Sequence, residues 1–115
     1  RSPASRADMT SVLLYKGSEG KLSGYRVSGH AGFARAGQDI VCAAISFMSI
    51  ACANALERVA GMKPEVTEKD ALLEVKLHDP NEQALTIFKV FESGMRDLKE
   101  AYPTHIKLSE AGLPK

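Results

Sequence analysis

The sequence predicts an α+β fold, a two-layer sandwich with a mainly antiparallel sheet and two helices in the order ββαββαβ. Three observations carry that expectation. Five short segments are β-prone, several of them alternating apolar with polar residues. Two long segments repeat apolar residues at helical spacing, and glycine- or proline-containing breaks separate the segments at short intervals. Neighbouring strands that pair antiparallel, with helices to cover one face, pack as two layers.

The elements follow in order. Thr10 to Lys16 reads as a strand, because Val12, Leu13, Leu14 and Tyr15 form an apolar, β-prone run. Gly17-Ser18-Glu19-Gly20-Lys21 is a turn of hairpin length. Leu22 to Ser28 is the second strand, with Tyr25 and Val27 alternating against Arg26 and Ser28, and it should pair antiparallel with the first. Residues 29–41, with Gly29, Gly32 and Gly37, read as a loop. A helix then runs from about residue 40 or 41 to 60, with Ile45, Met48, Cys52, Ala55, Leu56 and Val59 on its apolar stripe. Asp39 stands where an N-cap would accept the unpaired amides of the first turn. Gly61 is placed to end the helix, and Pro64 follows it.

Residues 65–67 form a short strand and 71–78 a better one, where Leu73, Val75 and Leu77 alternate against Glu74 and Lys76. Asp79-Pro80-Asn81 breaks the pattern. A second helix spans 82–101, with Leu85, Phe88, Phe91, Met95, Leu98 and Tyr102 on one stripe. Pro103 stops it, and 105–108 is the last strand.

A chain of 115 residues, 44% of them hydrophobic, can build one core without metal or disulfide staples. Residues 1–8 lack periodicity and precede Met9, so they read as an expression remnant, with a single domain over 9–115. Without Arg1, Arg6 and Asp8 the formal charge is zero. A neutral domain is a poor candidate for direct nucleic-acid binding, which needs a clustered basic face. No apolar run reaches the ~20 residues a membrane span requires on this reading, and no membrane partner is expected. If Cys42 and Cys52 share one helix, their ten-residue spacing puts them about 15 Å apart, beyond disulfide reach. Two free thiols suit a reducing cytoplasm.

The chemistry concentrates in Gly29-His30-Ala31-Gly32-Phe33-Ala34-Arg35-Ala36-Gly37-Gln38-Asp39-Ile40-Val41-Cys42-Ala43-Ala44. A thiol near a helix N-terminus feels the positive end of the dipole, which favours thiolate. A histidine within reach completes a nucleophile–base pair. Cys42 is therefore either a reactive thiol or a small buried hydrophobe. Cys52, mid-helix on the core stripe, fits the second description. His30 is either the base or an idle loop histidine, and His78 and His105 carry no assigned role. Asp39 is either a helix cap or the carboxylate that orients His30. Ser46, one turn after Cys42, either hydrogen-bonds near the thiolate or back-bonds to the helix. The amides of Cys42 and Ala43 are candidate oxyanion donors. Gly32 to Gly37 satisfies G-x-x-x-x-G, but Gln38 and Asp39 replace the Lys and Ser/Thr of a phosphate loop. No C-x-x-C or H-x-x-x-H spacing points to zinc, so neither metal nor cofactor is expected.

The run Gly29-His30-Ala31, then Gly37-x-Asp39-Ile40-Val41-Cys42-Ala43-Ala44 and Ser46, closely resembles the signature of the ribosomal-processing cysteine protease (Prp) family. The element order also resembles that family's fold, and the similarity runs from about Met9 to the C-terminus. The resemblance implies a cytoplasmic endopeptidase with a Cys42–His30 dyad. Its substrate would be the N-terminal extension of a large-subunit ribosomal protein, the twenty-seventh, whose removal supports ribosome assembly. It further implies a homodimer, a preference for aromatic or apolar residues before the scissile bond, and a motif loop that opens for substrate. Gly29 and Asp39 match motif positions without a chemical role that follows from the residues alone. The alternative is a non-catalytic, ribosome-associated peptide-binding module. A thiol redox sensor would need a resolving cysteine, and Cys52 is on the wrong turn.

Overall fold

A computed structural model describes residues 9–29 and 36–114, with backbone only for 36–39. The remnant assigned to residues 1–8 lies outside that range. The chain forms β1 (Thr10–Lys16), β2 (Leu22–Ser28), α1 (Ala36–Arg58), β3 (Glu65–Lys69), β4 (Leu72–Lys76), α2 (Glu82–Ala101) and β5 (Ile106–Gly112). This is the expected ββαββαβ order, and β1, β2 and α2 have the bounds read from the sequence.

The five strands make one mixed sheet in the order β3-β4-β2-β1-β5. β1 pairs antiparallel with β2, β2 with β4, and β3 with β4, but β5 lies parallel to β1 with Thr10 opposite Ile106. β2 and β3 thus run in the same direction, as do β4 and β5. Each helix is the crossover that joins such a pair, which is the connection parallel strands require. A strand's own pattern carries no record of its neighbour, so the parallel edge was invisible in residues 105–108.

Period-two alternation sends Val12, Leu14, Tyr25, Val27, Leu73 and Val75 to the helix-covered face, where all are buried. Tyr25 anchors this layer. Its ring stacks on Phe91 at 3.9 Å between centroids and meets Phe88 edge-on. Its hydroxyl donates to the Ser49 carbonyl at 2.6 Å, fixing α1 over β2. The other face carries a polar group: the Tyr15 hydroxyl donates to Glu74, and burial with that carboxylate pushes the phenol up to about 12.

Three expectations about the helices need correction. α1 begins at Ala36, several residues before the expected start. Its buried stripe is Val41, Ile45, Ser49, Cys52 and Leu56, whereas Val59 is exposed; on α2, Tyr102 is likewise exposed at the rim. By length and composition Ile40–Arg58 is apolar enough to cross a membrane, contrary to the expectation that no run would be. Here one side of it packs on the sheet. At the far end Gly61, with φ +69, turns the chain as expected; its N–H donates to the Glu57 carbonyl and that of Met62 to Leu56.

Candidate active site

Cys42 lies on the sheet-facing side of α1, half-buried, where the start of β1 and the end of β2 meet. Its Sγ is 3.5 Å from the hydroxyl of Thr10, the first residue of β1. Thr10 is only 1% exposed, and its amide donates to the His105 carbonyl at 3.0 Å. Cys52, further along the same helix, is buried, and burial pushes its thiol up. Both cysteines are free.

The extended helix changes the electrostatic argument. Cys42 stands in the second turn, about 9 Å beyond Ala36 at the helical rise, and dipole effects fade within the first turn. The amides of Cys42 and Ala43 fall within the intrahelical ladder that starts at Ala36, so they are not the free oxyanion donors expected. Asp39 is inside the first turn, which removes it from the N-cap position, although an acid there still complements the dipole. Its side chain, like all of His30, lies outside the described residues, as does the loop segment 31–35 expected to open for substrate.

Gly29, the residue before His30, has φ +89, a conformation that L side chains rarely adopt. Its N–H donates to the Ala71 carbonyl, and a Cβ there would come within 3.1 Å of the Met9 carbonyl oxygen. The glycine of the motif thus has a backbone reason: it turns the chain tightly out of β2 against the start of β1.

Ser46 follows Cys42 by one turn and lines a groove between α1 and the β3–β4 hairpin. Val27, Ile50, Leu72 and Leu73 form its apolar walls, and Glu68 and Lys69 border it. The groove holds about 340 Å³ of empty space, part of it open to solvent. Ser49, three residues on, back-bonds to the helix: its hydroxyl donates to the Ile45 carbonyl at 2.7 Å. Thr10 and the groove escaped sequence reasoning. Both depend on elements that meet only in the fold, and no local pattern marks either.

The family model described as cysteine protease Prp matches residues 9–107. A ribosomal processing cysteine protease Prp from Mycoplasma genitalium is 36% identical over 87 residues, covering 71% of this chain and 82% of that protein. The structure is similar to that of a ribosomal processing protease Prp from S. aureus in complex with a substrate peptide. The TM-score is 0.83 at 24% identity, with 90% of this chain and all of that chain covered. A second S. aureus Prp structure, with a covalently linked product peptide, gives a TM-score of 0.80 at 25% identity and the same coverage.

Proposed function

The chain belongs to the Prp family of cysteine proteases, and on that premise we propose that Cys42 is the nucleophile and His30 the base of a ribosomal-protein-processing reaction. One observation carries this reading: of two free thiols on one helix, the half-buried one closes the His30–Cys42 motif, while the other is sealed in the core. The covalently held product peptide of the S. aureus protein is in keeping with a thiol nucleophile.

His30 takes the Cys42 proton, and the thiolate attacks the scissile carbonyl. The resulting oxyanion collapses as His30 protonates the leaving amine. Water, activated by the same histidine, then releases the acyl-enzyme. Asp39 and Ser46 are supporting residues, and Gly29 serves the backbone turn at the end of β2. We assign the side chains before the cut to the groove beside Ser46, where Val27, Ile50 and Leu72 offer apolar contact.

The substrate we propose is the N-terminal extension of the twenty-seventh large-subunit ribosomal protein, cleaved in the cytoplasm by a homodimer. Unpaired thiols support the compartment. Among the described residues the apolar side of α1 that carries Ile40 and Phe47 is exposed, which supports the dimer. Incubating the protein with the extended precursor and reading both products by mass spectrometry tests the activity. Cys42→Ala and His30→Ala should each lower cleavage by about 10³-fold or more. Near-normal cleavage by either variant removes that residue from its role.

A further inference from the structure

The start of β1 touches the motif at two points. Gly29, at the end of β2, lies so near β1 that a Cβ there would meet the backbone of Met9 and Ser11, and Thr10 between them reaches the Cys42 sulfur. Thr10 is held from three sides. Its amide is bonded to His105, its neighbour across the parallel pair is Ile106, and its side chain is sealed from solvent. A β-branched side chain has few rotamers to begin with. Its hydroxyl therefore points at the sulfur without having to be ordered when the reaction begins.

With a neutral thiol, either partner can donate in this contact. A thiolate has no proton, so only Thr10 can donate to it, and a hydrogen bond to the charged partner is the stronger of the two. A donor that bonds preferentially to the charged form favours that form. We propose that Thr10 is a positioning residue for Cys42: its hydroxyl donates a hydrogen bond to the thiolate, stabilising the attacking form and aiming the sulfur. In the second turn of the helix, where the dipole has faded, this bond supplies locally what the helix terminus does not. The proposal rests on Cys42 being the nucleophile.

Among the described residues, the titratable side chain next to Thr10's backbone partner is His105, whose ring nitrogen meets the Thr104 hydroxyl at 3.2 Å; His30 and Asp39 belong to the motif by sequence. They are unchanged in every Thr10 variant, so differences between variants isolate the hydroxyl. The test is the rate of iodoacetamide modification of Cys42 against pH in the full chain, with modified sites assigned by peptide mass. Thr10→Val and Thr10→Ala should displace the profile to higher pH, with a several-fold slower reaction at neutral pH. Thr10→Ser should keep the wild-type profile, and Cys52 should stay slow throughout. In a peptide-cleavage assay Thr10→Val should lose kcat/KM at neutral pH, with the acidic limb of its pH profile displaced in the same direction as the alkylation profile. Superimposable profiles for valine and wild type would overturn the proposal, as would a serine variant displaced as far as valine. Cleavage persisting in Cys42→Ala would instead sink the nucleophile assignment, and with it the catalytic meaning of Thr10, whatever the alkylation shows.

Discussion

Cys42 and Cys52 share a helix and a residue type, so their difference is environmental. Cys52 sits among core side chains, where desolvation disfavours the thiolate. Cys42 lies beside a hydroxyl at the edge of the layer. Truncating Cys52 removes one buried sulfur and leaves a small void. Cys52→Ala should cost up to ~1–2 kcal/mol in urea unfolding and leave the kcat of peptide cleavage near wild type. A large kcat loss with unchanged stability would show that the buried thiol does more than pack. The His30–Cys42 spacing was legible because it is a contiguous motif. Thr10 was not, since 32 residues separate it from Cys42 and its own strand reads like any other.

At the level of elements, helix ends were the hardest to read. Ala36 and Gln38 are good helix formers, yet three glycines between 29 and 37 outweighed them in a local reading. The backbone nevertheless coils from Ala36, and that shift moved Cys42 from the first turn to the second. The start of α2, by contrast, matched, and the structure shows why it is sharp. The Asn81 carboxamide oxygen accepts from the Ala84 amide at 2.9 Å, and its nitrogen donates to the Ala60 carbonyl at 3.0 Å. One side chain thus caps α2 and ties it to the end of α1. Asn81→Ala should lower unfolding free energy by ~1–2 kcal/mol, the cap supplying about half, while peptide cleavage is retained. A loss of only a few tenths in chemical denaturation would mean that the clamp contributes nothing beyond local turn geometry.

At the scale of the molecule the helices cover one face of the sheet, but among the described residues α1 keeps an exposed apolar side. Between Asp39 and Glu57 it carries no charged residue, and Phe47, 71% exposed, is its most prominent apolar projection. The proposed dimer would bury this side. In sedimentation equilibrium the wild type should appear at twice the chain mass, and Phe47→Asp should dissociate it by at least tenfold in Kd, the scale expected for losing a central aromatic anchor and burying a charge. A wild type that sediments as a monomer, or a variant that stays dimeric, excludes this face as the interface.

The sequence by itself determined the element types, most turns, Gly61 as a helix terminator and the chemical motif around Cys42. Periodicity, turn preference and motif spacing are local properties of the chain. Tertiary structure alone decided that β5 joins β1 in parallel, that one side of α1 is left open beside a groove, and that Thr10 meets the sulfur of Cys42. Those outcomes depend on packing between residues far apart in the chain, where many pairings satisfy the same local pattern and only the shared core selects one.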